Sequence, residues 1–574
     1  MRKRSLSVAL LVLALAACED PLAVANPNDA DRRRVFTNAT DLEVFIAGLW
    51  AVQHQSNIGG SNDGLQTQMA VMSLENTSAL ANFAMGPRGT IPRNPITNQR
   101  GSQGNAGNLH DWFRGHRAAR QAALGIAALR TLPLTTPAAT YRAHMFARFI
   151  QGVALGNLSL AYDSASILTE DDNPEADAAV VVALSHYSAV NAAALRYLDS
   201  AIVLANAAPS GVFGFPNTAN YWINGVAALQ GTSGAAATAA RTLFVRLARS
   251  YKAKFRANVA RTPAERALVD WDEVIADADA GITADFTPQM DNPKAIDLSW
   301  LAQHFASAAW HQMPQFFLLM ADTSASYATY LATPNASRTG MLIVTPDRRF
   351  PQGTTRAAQS DTITQTYARS AGQNFALTPY FKNRLSGNDL QGEPLTSSQY
   401  DYWRSRQLQQ ASRVGPWPVM TAAEIRLLAA EGYFRNGNFT LMIDRINISR
   451  TTVGQLPAIP NTIADTATVI AGGQQCVPKV PDVNHVLGAY RGWKCGNVWD
   501  ALKYEFRLET AYTGYGNWFF PGRGWGDLPQ GTATQWPVPY QEMDSRAQAF
   551  YGFGGGLQSS SGAGNYGLFV GGVY

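Results

Sequence analysis

Apolar side chains recur every three or four positions through much of this chain, and that spacing predicts helices. The first starts near residue 38, where Asn38 or Thr40 can cap it and Leu42, Val44, Phe45, Leu49 and Trp50 follow at helical spacing. Residues 109–131 continue the pattern with Trp112, Ala119, Ala122, Leu124 and Leu129. In 139–163, Tyr141, Met145, Phe149 and Val153 fall at four-residue steps, followed by Leu155 and Leu158. Residues 183–206 (Leu198, Ile202, Leu204), 234–258 (Leu243, Leu247, Tyr251) and 268–281 (Trp271, Val274, Ile275) behave alike. Alanine is dense in all of them, which favours helix and lets helices approach closely. Consecutive helices joined by short turns predict a mostly α fold of tetratricopeptide-like helix-pair repeats.

The pattern fades in two places. Residues 56–108 are rich in Gly, Asn, Gln and Ser and predict long loops, which inside a compact body are commonly functional or disordered. Residues 285–420 gain proline, glycine and aromatics, and predict loops, short helices and a few short strands, with helical spacing only around 297–319. Helical spacing returns at 421–452. Ala422 to Arg435 and Phe439 to Arg450 flank Asn436-Gly437-Asn438, a helix hairpin whose Gly437 supplies the left-handed turn conformation. A further helix is predicted over 497–513, and the stretch 551–574 is a Gly/Ser-rich tail.

The N-terminus is a processing segment rather than part of the fold. Arg2, Lys3 and Arg4 precede an apolar core from about Ser7 to Ala17, too short to span a bilayer, which takes roughly 20 residues. It ends in Leu15-Ala16-Ala17-Cys18, which resembles the lipobox of bacterial lipoproteins, whose cysteine is acylated and becomes the first mature residue. Residues 1–17 are therefore expected to be a signal peptide, Cys18 a lipid anchor, and the polar stretch 18–35 a tether. An ordinary secretory signal with an incidental cysteine is the alternative.

Composition narrows the class. With 574 residues the chain exceeds the usual size of one core, so two subdomains or one extended helical body are expected, divided here at 36–284 and 285–550. At 46% hydrophobic and 15% charged residues it is a folded protein. The net charge of +4 comes largely from the three basic residues of the leader, so nothing electrostatic points to nucleic acid. Cys476 and Cys495 flank a loop-like stretch with Pro478, Pro481, Gly488 and Gly492. In an exported protein they are expected to form a disulfide, because His485 alone does not complete a zinc site.

Within this frame two regions carry specific motifs. Glu424-Ile425-Arg426-Leu427-Leu428-Ala429-Ala430-Glu431-Gly432-Tyr433 leads into the hairpin turn, and Ile446-Asn447-Ile448-Ser449-Arg450 into Val453-Gly454-Gln455-Leu456-Pro457. Downstream come Lys503-Tyr504-Glu505-Phe506-Arg507-Leu508-Glu509 and then Trp536-Pro537-Val538-Pro539 with Glu542-Met543-Asp544. Upstream lie the alanine-rich stretch from Ala143 to Tyr162 and Asp347-Arg348-Arg349. Taken in order and behind a lipobox, this set resembles the SusD/RagB family of nutrient-binding outer-membrane lipoproteins. The segment Gly514-Tyr515-Gly516-Asn517-Trp518-Phe519 departs from the family pattern by lacking an Arg and an Asp, which puts any salt bridge made there in doubt.

The resemblance implies a SusD-like α–α superhelix with a loop-rich ligand-binding half. It also implies a SusC-like TonB-dependent transporter as partner, a glycan or other nutrient as ligand, and binding in place of catalysis. Glu19 and Asp20 after the cysteine are similar to the export signals of surface lipoproteins, so an outer-membrane, surface-exposed location is expected.

The chemistry of the residues is compatible with binding. There is no G-x-S-x-G, H-E-x-x-H or G-x-x-x-x-G-K-[ST] motif, and no cofactor or metal is expected. His304 and His311 lack a third ligand. The acidic run Glu170-Asp171-Asp172-Asn173-Pro174-Glu175-Ala176-Asp177 could hold Ca²⁺ or be a solvated loop. Glu505 and Glu509, one helical turn apart, are expected to be structural beside Arg507. Of the 13 Trp, 21 Tyr and 25 Phe most must be core, so rings that stack on a sugar are sought in loops beside polar neighbours. Those candidates are Tyr221 and Trp222, Trp300, and Tyr402 and Trp403, with Asn76 and Arg88 in the long early loop. An exported polysaccharide-active hydrolase and a tetratricopeptide-type envelope scaffold are the rival readings.

Overall fold

A computed structural model describes residues 36–555 apart from 58–63, 79–87, 90–92, 102–104, 173–180, 210–212, 217–228, 232–233, 292–310, 335–340, 362–366, 369–376, 385–397, 405–411, 413, 488–489 and 530. The leader, Cys18, the tether and most of the tail lie outside the described residues.

The predicted helices form, with ends set by local capping. α1 (Ala39–Ala47) begins at Asn38, whose side chain accepts the Thr40 amide at 2.8 Å, and α2 (Leu49–Asn57) follows after Gly48. α3 (Leu65–Met72) stands in the stretch expected to be loop. Its polar residues misled: Gln66 Oε1 accepts the Gly516 amide at 2.7 Å and Gln68 Oε1 accepts from Arg88 Nε at 3.2 Å, so tertiary partners replace the water that such side chains ordinarily seek. α4 (Asn105–Thr131) and α5 (Pro137–Ala161) are the long helices. Thr136 caps α5 by accepting the Ala139 amide at 3.1 Å, and Pro137 enters at the first turn, where no hydrogen bond is lost.

α6 (Tyr187–Ala207), α7 (Gly234–Asn258) and α8 (Trp271–Asp279) complete the first series, and each packs on its predecessor. α5 sits at the centre and is buried from Met145 onward on almost every side apart from Arg148. A Cβ at Gly156 would fall on the Phe255 ring, so the glycine makes room for α7 to pack close here.

The hairpin forms α9 (Ala422–Arg435) and α10 (Phe439–Thr452), with Gly437 at φ +73°. α9 packs against α7 and α8, and α11 (Val498–Thr510) packs on both α9 and α10. α11 starts with a capping box between Asn497 and Asp500. α12 (Phe519–Trp525) follows. The later helices thus continue the stack begun by the earlier ones, and buried apolar residues from Leu42 to Met543 form one connected core.

Between α8 and α9 the chain makes short helices and short antiparallel strand pairs. β1 (Phe381–Asn383) pairs with β2 (Tyr400–Tyr402), placing Phe381 opposite Tyr402. The stretch between the cysteines, expected to be loop-like, is instead a hairpin of β3 (Lys479–Leu487) and β4 (Tyr490–Cys495). Val480, Val486, Leu487, Tyr490 and Trp493 are strand formers, and they outweigh the prolines and glycines between them. Cys476 and Cys495 are bonded, with S–S 2.10 Å. Among the described residues no helix is long and apolar enough to cross a membrane.

Candidate functional site

Three sequence motifs, far apart in the chain, meet in one buried ionic frame. Arg349 places Nε and Nη2 on the carboxylate of Asp347 at 2.9 and 2.7 Å. Its Nη1 and Nη2 reach Glu505 on α11 at 2.6 and 3.0 Å, and Nη1 also reaches Glu509 at 3.2 Å. The Tyr504 hydroxyl donates to Asp347 at 2.7 Å, and Arg450 of α10 stands 3.8 Å from Glu505. Burial by itself would lower the Arg349 guanidinium, but Asp347 and Glu505 outweigh it and hold it well above its ordinary value. Gly454 is part of the frame: a Cβ there would lie 2.9 Å from Arg349 Nη2 and 2.9 Å from the Arg450 carbonyl.

The Glu505–Glu509 pair is therefore structural, but its cation is Arg349. Arg507 turns the other way and, with Lys503, holds Asp527 at 2.5 and 3.0 Å. Where Gly514 to Phe519 departs from the family pattern, Asn517 accepts from Lys254 Nζ at 2.5 Å and donates to Glu424 at 3.0 Å.

Tyr380 carries this frame to the surface. Its hydroxyl donates to Glu509 at 3.2 Å, and its amide donates to the Arg349 carbonyl at 2.7 Å. Its own carbonyl accepts the Trp403 amide at 2.8 Å, and the Arg404 guanidinium lies over its ring, 4.1 Å from the centroid. Trp403 is half-buried at the end of the β1–β2 pair, with Lys382 Nζ 4.6 Å from its ring centroid. An indole with exposed area beside an ammonium group offers a flat apolar surface next to a hydrogen-bond donor, the combination a sugar ring can use.

Of the expected site residues that are described, only Trp403 is half-buried; the others are buried. Tyr402 is 3% exposed, its ring packed on Phe381 and Tyr512 at centroid distances of 4.5 and 3.5 Å, so it is a core ring and the expectation that it stacks on a ligand is corrected. Asn76 and Arg88 are likewise buried. Asn76 follows Glu75, which accepts the Tyr512 amide at 2.6 Å, and Arg88 donates to Gln68 and to the Pro95 carbonyl. Both are turned into the body by these neighbours and do not join Trp403 on a common surface. Burial raises the Glu75 carboxyl to about 8. Tyr221, Trp222, Trp300 and His304 lie outside the described residues.

Residue-by-residue reading missed Lys382 and Tyr380, which stand in no motif; a run of Tyr380-Phe381-Lys382 was the available signal. In the acidic run, Glu170 accepts from Arg130 and Arg148, and Asp171 from Arg130, so these carboxylates are engaged by guanidinium groups. Residues 173–177 of that run lie outside the described residues, and among those described no group of three or more His, Cys, Asp or Glu is placed to hold a metal.

No protein-family model matches the chain, and neither does any curated protein. Solved structures do. A SusD superfamily protein from Parabacteroides distasonis is 10% identical, with a TM-score of 0.52 over 88% of this chain and 97% of its own. A SusD superfamily protein from Bacteroides vulgatus is 13% identical, with a TM-score of 0.48 over 88% and 97%. A SusD-like carbohydrate binding protein from Bacteroides fragilis is 11% identical, with a TM-score of 0.48 over 86% and 87%.

Proposed function

We infer from the SusD-type fold, which this mostly α, tetratricopeptide-like chain carries, that the protein is a SusD/RagB-like lipoprotein. It binds a glycan or oligosaccharide at the outer membrane and passes it to a SusC-like TonB-dependent transporter. It works by binding, with no bond made or broken. Cys18 tethers the body, and residues 18–35 give it reach.

The observation that carries this reading is the seating of Trp403. The half-buried residue places its ring beside Lys382, while its backbone hangs from Tyr380, which is bonded to the Arg349–Glu509 frame. A ring held on a rigid support loses little freedom when a ligand docks, which favours affinity. The paired carboxylates that a hydrolase reading would call on, Glu505 and Glu509, are engaged with Arg349 in the interior.

Isolation of the protein from detergent-solubilised outer membranes tests the reading. A barrel transporter is expected to co-purify, and an N-terminal peptide carrying acylated Cys18 is expected by mass spectrometry. Recovery from the inner membrane without a barrel partner, or turnover of a polysaccharide by the purified protein, would overturn it.

A further inference from the structure

Glu75 is buried beneath the surface that carries Trp403, and its only route to that ring runs through two tyrosines. Its Oε1 accepts the Tyr512 amide at 2.6 Å. The backbone on both sides of this bond is unusual. Leu74 stands at φ +61° and Tyr512 at φ +57°, a left-handed conformation that such side chains rarely adopt. Residues of this kind persist only where their surroundings over-determine them, and they gather at ligand clamps and switches.

The Tyr512 ring packs on the Tyr402 ring, with centroids 3.5 Å apart, and Tyr402 is the residue before Trp403. The Tyr402 hydroxyl has no hydrogen-bond partner among the described residues, so packing against Tyr512 and Phe381 seats its ring. Trp403 thus has a second support besides its bond to Tyr380: a stack that leads back to Glu75.

The ionisable groups that face Glu75 are the phenols of Tyr402 and Tyr512, and burial holds both well above their ordinary value. Beyond them, Arg404 lies over the Tyr380 ring, and Asp401 meets Arg384 at 3.4 Å. With its carboxyl raised to about 8, Glu75 is uncharged at neutral pH. Loss of that proton puts a charge into an apolar setting where the Tyr512 amide must hold it.

We propose that Glu75 is a positioning residue for Trp403: its uncharged carboxyl keeps Tyr512 and Tyr402 stacked, and its charged form loosens the stack and unseats the ring. The inference rests on Trp403 being the ligand platform, but the first arm of its test needs no ligand.

That arm is ¹⁹F NMR of the mature protein labelled with 5-fluorotryptophan, followed from pH 6 to pH 9. The Trp403 resonance is the one missing from Trp403→Phe. It is expected to move in a single proton step centred near 8. In Glu75→Gln, which keeps an acceptor for the Tyr512 amide, the step should vanish. A Trp403 resonance that stays fixed in the wild type overturns the proposal without any variant. So does a step that survives in Glu75→Gln, by assigning it to another group such as Lys382. In the second arm, a glycan bound by the wild type should bind about tenfold more weakly at pH 9 than at pH 6, because roughly a tenth of the molecules then keep the proton. Equal binding at the two pH values also overturns the proposal. Binding of no glycan contradicts the platform reading, and the ¹⁹F step still decides whether Glu75 positions Trp403.

Discussion

Arg349 grips Glu505 with two hydrogen bonds, 2.6 and 3.0 Å long, and both side chains are fully buried. The two residues lie in motifs more than a hundred positions apart, so this contact ties the loop-rich region to the helical stack. Removing one partner of a buried pair leaves an uncompensated charge, which costs about 3–5 kcal/mol. Arg349→Met is therefore expected to lose stability of that order in chemical denaturation, because Asp347, Glu505 and Glu509 then share no guanidinium at their centre. Arg349→Lys should fall between, since an ammonium cannot reproduce the two-pronged grip.

Gly454→Ala tests the same frame by sterics. The new Cβ meets the Arg450 carbonyl at 2.9 Å, and a backbone atom cannot swing aside. Overpacking of this kind costs about 1–3 kcal/mol, and the denaturation midpoint is expected to fall accordingly with an unchanged slope.

Much of this scaffold was legible in the sequence because periodicity and capping are local. Asn38 and Asn436-Gly437-Asn438 mark helix ends through chemistry within a few residues. The site was harder to read because it depends on partners distant in the chain. Tyr400, Asp401 and Tyr402 are all buried, so strand alternation gives no hint that the half-buried ring comes one residue later. Helix α3 was hidden because Gln66, Thr67 and Gln68 look solvent-facing until Gly516 and Arg88 are known to meet them. Glu505 and Glu509 were recognisable as a structural pair, but sequence adjacency pointed to Arg507 when the partner was Arg349.

Glu75 should make stability depend on pH. Its carboxyl titrates near 4.5 when unfolded and near 8 in the folded protein, because burial opposes its charge. Between those values the folded state binds the extra proton, so this contribution is complete below about 4.5 and is lost as pH rises toward 8. Glu75→Gln keeps an acceptor for the Tyr512 amide and has no proton to lose. Denaturation series from pH 5 to pH 8 are expected to show a shallower decline for the variant, by a few kcal/mol at the alkaline end.

His116 acts in the opposite sense. Its Nδ1 faces the Trp112 carbonyl at 2.9 Å and its Nε2 accepts the Ser166 amide at 3.2 Å, an arrangement only the neutral ring satisfies. Burial lowers it from 6.5 to about 4. Its contribution is present above 6.5 and is lost as pH falls toward 4. Histidine NMR should show this ring still neutral at pH 5.5; a ring already charged there would contradict the assignment.

The most direct measurement of the central claim is calorimetric titration of a polysaccharide panel into the mature protein and its Trp403→Ala variant. At least one glycan is expected to bind the wild type. The variant should bind it at least about tenfold more weakly with an unchanged melting temperature. Binding of no glycan by the wild type, or equal binding by both proteins, would contradict a glycan-binding role centred on Trp403.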